Sequence, residues 1–254
     1  MKASELYDYM DSLAPFGTSE NWDNAGLLVG SPERETGRVL VSLDVTPDTA
    51  AEAQRIGAGI ILSHHPVIFH PLRSLPANGL YASLLRSDIT VISAHTCLDF
   101  AAGGVNDVLA ARLGLRSVRH FDMLPGGQLS LGRIGELERA MEPEEFAAFV
   151  KKTLGCGGIS YVSGGRKIGT VAVSGGKLST LPEKALRLGC DALVSSEIKH
   201  SDFLDAHALG LTLIDAGHYF TEVPVTAALA GALSAHFPGV DFVVSQTANP
   251  IKYM

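Results

Sequence analysis

Gly189-Cys190-Asp191-Ala192-Leu193-Val194-Ser195-Ser196-Glu197 repeats Gly57-Ala58-Gly59-Ile60-Ile61-Leu62-Ser63-His64-His65 nearly position for position. Further along, Leu211 to Glu222 sets beside Ile89 to Asp99 with one inserted residue, and both stretches end in His-x-x-x-carboxylate. A self-similar chain of this kind is restricted to two copies of one supersecondary plan. Within each copy, short runs of branched apolar residues alternate with segments of helical spacing, the pattern of a mostly parallel sheet with helices on its faces. The expectation is therefore an α/β protein of two similar lobes arising from an internal duplication, with mixed, mostly parallel sheets and flanking helices.

The first copy reads as a helix from Ser4 to Leu13, strands at 38–44 and 59–62 around a helix at 47–56, a helix at 80–85 and a strand at 89–94. A further helix opens near Ala101-Ala102-Gly103-Gly104 and runs to Leu113. The texture changes from Asp122, and Pro125-Gly126-Gly127 marks a lobe boundary, giving lobes of 1–124 and 125–254. Beyond it come a strand at 129–137, an amphipathic helix begun by Glu142-Pro143-Glu144-Glu145, a glycine-broken hairpin-like connection, and the repeated strands and helix. A net charge of -7 without a basic cluster longer than Lys151-Lys152 argues against nucleic acid as a main partner, because phosphate binding needs a positive field. Three widely spaced cysteines without a CxxC pair fit a reducing compartment, and they read as small buried hydrophobes. No apolar leader opens the chain and no segment reaches the ~20 apolar residues of a membrane span, so a cytoplasmic protein without a membrane partner is expected.

Two adjacent histidines, His64 and His65, sit where an apolar strand ends, and Pro66 fixes a turn there. Alone they fit either convergence on a pair of metal ions or a solvated surface turn. Asp99 likewise fits a ligand or a plain turn carboxylate. The repeat favours the ligand reading for both. His218 and Glu222, at i and i+4 on the first turn of a helix, lie on one face, and the aligned strand end supplies Asp99. His64, His65, Asp99, His218 and Glu222 then offer three imidazoles and two carboxylates between the lobes, a mixed set that suits Zn, Mn, Fe, Co or Ni better than Ca or Mg. Without cysteine among the ligands, a closed structural zinc site is not indicated. Two ions about 3.5 to 4 Å apart that share these ligands keep open positions for water, the nucleophile of many hydrolases. His95, opposite His218 in the repeat, reads as a residue that orients a ligand or shuttles a proton ahead of a direct ligand. Asp215 is placed to hydrogen-bond a ligand histidine. Ser63, Lys199 and His200 either line the same cleft or are solvated surface residues, and Glu197 stands in the repeat where His65 does, with its role open. Trp22, the only tryptophan, is expected to pack its loop onto the core rather than to stack on a ligand. His70, His120, His207 and His236 read as surface or packing residues.

Asn21-Trp22-Asp23-Asn24-Ala25-Gly26-Leu27, Ser63-His64-His65-Pro66, Ala94-His95-Thr96 with Asp99, Gly135-Glu136-Leu137, and Asp215-Ala216-Gly217-His218-Tyr219 with Glu222 together resemble the NIF3-like family, whose members are often labelled GTP cyclohydrolase 1 type 2 homologues. The resemblance spans nearly the whole chain. It implies a dinuclear metal centre on His64, His65, Asp99, His218 and Glu222, carried by two α/β lobes in a ring-shaped homohexamer, a trimer of dimers. The chain resembles the short form, without the domain that some members carry between the halves. Where members often begin a glycine-rich stretch with cysteine, it reads Val173-Ser174-Gly175-Gly176.

The function that follows is a metal-dependent hydrolase acting on a small substrate, with nucleotides among the candidates. The alternative is a non-catalytic metal-binding, metal-delivering or regulatory assembly.

Overall fold

A computed structural model describes residues 1–121, 131–177 and 182–254. Its first half runs α1 (Ala3–Leu13), β1 (Gly26–Val29), β2 (Arg38–Ser42), α2 (Pro47–Ile56), β3 (Ile60–Ser63), α3 (Leu80–Arg86), β4 (Thr90–Ser93), α4 (Thr96–Phe100) and α5 (Val105–Arg112). Two strands follow, β5 (Arg116–His120) and β6 (Arg133–Met141). The order then repeats: α6 (Pro143–Leu154), β7 (Ser160–Val162), β8 (Ile168–Lys177), α7 (Pro182–Arg187), β9 (Ala192–Ser196), α8 (His200–Leu209), β10 (Thr212–Asp215), α9 (His218–Glu222) and α10 (Pro224–His236). One strand, β11 (Asp241–Val244), closes the chain. The duplication read from two short stretches thus extends element by element from α1 and α6 onward.

Local chemistry accounts for these elements. α2 starts at Thr46, whose hydroxyl accepts the amide of Thr49, has Pro47 in its first turn, and stops at Gly57 in the left-handed conformation, as caps of this type dictate. α6 uses the same punctuation, with Pro143 at its start and left-handed Gly155 at its end. β3 and β4 are buried at every position, which explains why neither carries a charged residue or alternates apolar with exposed polar ones: a strand covered on both faces has no solvent side to alternate with.

Two sheets result, ordered β1-β4-β3-β2-β11 and β5-β6-β8-β9-β10-β7. In the first, β11, β2, β3 and β4 are parallel and only β1 runs against its neighbour. The second keeps the parallel core β8-β9-β10 and adds antiparallel β7 on one side and antiparallel β6 and β5 on the other.

The chain forms two compact units, one of residues 1–102 with 225–248 and the other of residues 103–224 with 249–254. This differs from uninterrupted lobes of 1–124 and 125–254, and the expected boundary at Pro125-Gly126-Gly127 lies outside the described residues. The physical reason is packing. Leu109, Ala110 and Leu113 of the α5 region are buried in one cluster with Phe146, Val150, Val171 and Ile214 of the second unit. At the other end of the chain, β11 extends the first sheet beside β2, where Phe242 pairs with Val39. Each half therefore sends the segment after its fourth or ninth helix into the other half's unit. Among the described residues, no helix is long and apolar enough to cross a membrane.

Candidate metal centre

In each sheet the functional side chains leave the carboxyl ends of the parallel strands, the ligand-binding edge of open α/β sheets. In the first unit, Ser42, Ser63 and Ser93 stand in register at the ends of β2, β3 and β4. The residues just beyond them are the chemical ones: Asp44 after β2, His64 and His65 after β3, and His95 after β4. Asp99 follows one turn later on α4, a short helix that the sequence pattern did not indicate. Ser63 is buried, and its hydroxyl lies 2.8 Å from that of Ser93 and donates to the His65 carbonyl at 2.9 Å. It braces the histidine turn instead of lining a cleft.

Four histidines share one pattern. The His64 Nδ1–H donates to the Ala94 carbonyl at 2.9 Å, that of His65 to Asp44 at 2.7 Å, and that of His95 to Asp23 at 2.8 Å. In the second unit the Nδ1–H of His218 donates to Glu197 at 2.7 Å. Every acceptor is a carbonyl or carboxylate oxygen, which cannot donate, so in the neutral ring the proton sits on Nδ1 and the lone pair on Nε2. This is how metal-ligating histidines are held, with an oxygen behind the ring fixing the tautomer and the aim of the other nitrogen.

His64, His65 and His95 cluster with ligand atoms within 4.8 Å of one another, and the Nε2 of His64 lies 3.7 Å from the Asp99 carboxylate. His64 and Asp99 are buried, while His65 and His95 are partly open. In the second unit, the Nε2 of His218 faces the buried Glu222 carboxylate at 2.9 Å. A lone-pair nitrogen set against a carboxylate oxygen is repulsive unless a cation lies between them, either a proton or a metal ion. Gly175 and Gly176 wrap the Glu222 side chain. A Cβ on Gly176, whose φ is +64°, would collide with the Glu222 carboxylate and come within 3.3 Å of the His218 Nε2, and one on Gly175 would stand 3.3 Å from the Glu222 Cγ. The donor set of imidazole nitrogens and carboxylates and this glycine cradle both fit a divalent transition metal.

The supporting carboxylates were only partly legible in the sequence. Asp44 carried no signal there, and Glu197 was seen merely as the repeat partner of His65. Glu197 has φ of +51°, a costly conformation for a residue other than glycine, and this places its carboxylate behind His218. Asp215, expected to hold a ligand histidine, instead accepts the backbone amides of Ile198 and Gly217, so it shapes the turn ahead of His218. Asp23 accepts from His95 and from both the amide and hydroxyl of Thr96. Burial pushes its carboxyl up, but those hydrogen bonds and the histidine's charge outweigh burial and bring it down to about 2. Lys199 and His200 are exposed at the start of α8. Trp22 does not pack on the core: it is 58% exposed, because its loop is anchored by Asp23 and Asn24 instead. Cys97, Cys156 and Cys190 are buried, and burial pushes each thiol up to about 11, as inert core residues should be. Of the remaining histidines, His236 stacks on Tyr9 with centroids 3.7 Å apart, and His207 bonds to the Ser163 carbonyl.

Known proteins of the same build exist. A curated Clostridium perfringens protein named GTP cyclohydrolase 1 type 2 homolog is 29% identical over 262 residues, covering 100% of both chains. One of the same name from Lactococcus lactis is 32% identical and covers 98% of each. The crystal structure of the Staphylococcus aureus hypothetical protein SA1388 superposes with a TM-score of 0.94 at 31% identity, over 100% of this chain and 99% of that one. The family model for Duf34/NIF3 (NGG1p interacting factor 3) matches residues 1–250, and with a relative 32% identical along nearly its whole length, the chain belongs to the Duf34/NIF3 family.

Proposed function

We propose that this protein is a metal-dependent hydrolase of small molecules, its two ions held by His64, His65, Asp99, His218 and Glu222. The observation that carries the reading is the common geometry of His64, His65 and His218: an oxygen acceptor behind each Nδ1, which makes Nε2 the ligand atom of the neutral ring. When bound, a pair of ions supplies Lewis-acid activation of water and of the substrate's polar bond.

The chain's own residues then have separable tasks. Asp44 and Glu197 fix the rings of His65 and His218, so that their aim survives thermal motion. Asp23 stays ionised across the physiological range and holds the His95 ring by its Nδ1, so that the Nε2 serves as a proton carrier near the reacting atoms. Buried Asp99 and Glu222 supply the negative charge that balances the ions in a site that excludes much of the solvent. The reading carries with it a cytoplasmic, ring-shaped homohexamer, which light scattering would find as a native mass near six times the 26.8 kDa chain.

The test is turnover by zinc- or manganese-loaded protein of a panel holding GTP, phosphoesters and cyclic amides, GTP being included because relatives are named after its cyclohydrolase. Hydrolysis of one class, abolished in Glu222→Ala, supports the proposal. Tight metal binding without consumption of any member would leave a metal-holding assembly in its place.

A further inference from the structure

Trp22 and Phe69 stand side by side at the edge of the three-histidine cluster, 58% and 40% exposed. Their centroids are 5.9 Å apart, and each ring meets His95 edge to face, at 5.9 Å and 6.2 Å. Leaving an indole in water forgoes the roughly 25 cal/mol per Å² that its burial would contribute, so this exposure needs a reason.

Looseness is not the reason. Beside Trp22, Asp23 is fixed to His95 and to the Thr96 backbone and hydroxyl, and the Glu20 amide donates to the same Thr96 hydroxyl. Asn24 reaches across to donate to the Ile68 carbonyl, next to Phe69, and the Tyr81 hydroxyl donates to the Val67 carbonyl. Both aromatics are presented to solvent from anchored backbone. The anchor of one, Asp23, is also the carboxylate that orients His95.

We propose that Trp22 and Phe69 form a stacking wall for a planar nitrogen heterocycle, of the nucleobase kind, carried by the substrate of the adjoining histidine cluster. The inference rests on the metal-site reading above and narrows its substrate class. The His95 ring lies 5.9 Å from the indole and 5.2 Å and 5.6 Å from the rings of His64 and His65, so a heterocycle laid on the indole borders the histidine cluster. Stacking recognises the π-face of the ring and tolerates differences in its edge groups.

Because Trp22 is the only tryptophan in the chain, its fluorescence reports on this wall alone. Zinc-loaded protein is titrated with adenosine monophosphate and, separately, with ribose phosphate, which carries the same anion without the ring. The nucleotide should quench the emission saturably while ribose phosphate leaves it unchanged. By calorimetry, Trp22→Ala and Phe69→Ala should each weaken nucleotide binding by about tenfold, with bound zinc and native mass unaltered. Equal responses to the two probes, or unchanged nucleotide affinity in both variants, would overturn the proposal. A fall in native mass in Trp22→Ala with no selectivity for the ring would overturn it too, assigning the pair to a contact between copies. Quenching that persists in protein unable to hold zinc keeps the wall and removes the metal reading alone.

Discussion

The carboxylates behind the histidines carry the most informative single-residue chemistry. Glu197 holds His218 from a left-handed backbone position that costs a non-glycine residue roughly 1–2 kcal/mol. Glu197→Gly should therefore be neutral to about 1 kcal/mol more stable in denaturant melts while weakening metal binding about 10- to 100-fold by calorimetry. A variant that lost stability and kept its affinity would make Glu197 an ordinary structural residue. Asp23 makes a second prediction. Its folded-state pKa of about 2 lies below the ordinary 3.8, so the unfolded chain binds its proton first as pH falls. The stability it contributes is complete above about pH 4 and is lost toward about pH 2, roughly 2 kcal/mol in all. Denaturation at points along that window should show Asp23→Asn losing less stability than the wild type. The histidines themselves were legible because strand ends and an internal repeat are sequence-local signals. Asp44 was not, because its partnership with His65 exists only through the pairing of β2 with β3, a contact between residues 21 positions apart.

Among the elements, the core strands and the long helices followed directly from apolar periodicity, since burial on both faces or on one face leaves a clear pattern. The misses share a physical cause. β5 is Arg116-Ser117-Val118-Arg119-His120 and mostly exposed, an edge strand held by backbone pairing with β6 that composition does not betray. β7 is three residues long, and α4 is a single turn; neither is long enough to show a period. The exchanged helix α5 is the element whose role changed most. Its Leu109 is fully buried in the second unit's cluster, so Leu109→Ala should cost about 2–5 kcal/mol. Calorimetric unfolding should place that loss in the transition of the unit containing residues 103–224. A loss confined to the other transition would return α5 to the lobe suggested by its position in the chain.

At the scale of the whole molecule, duplication was visible in the sequence because nine-residue stretches still match, whereas the exchange of segments between units was not. Nothing local distinguishes α5 feeding one core from α5 feeding the other; the choice is made by hydrophobic surface contributed from more than thirty residues away, by Phe146 and Val171. The C-terminal segment is tied to the first unit in a similar way, through Glu52, whose carboxylate accepts from Ser245, Gln246 and Thr247. Burial pushes that carboxyl up, and these bonds outweigh burial and hold it below its ordinary value. The same exchange has a functional corollary: the chain leaves the first unit just after Asp99 and leaves the second just after Glu222, so each proposed ligand turn directly precedes a crossing.

The proposed function requires two transition-metal ions on His64, His65, Asp99, His218 and Glu222. Elemental quantification of protein purified without chelators addresses it directly. About two ions per chain are expected, falling below one in His65→Ala and in Glu222→Ala while circular dichroism is unchanged. Fewer than one ion per chain in the wild type after metal supplementation, or an undiminished content in both variants, would contradict it.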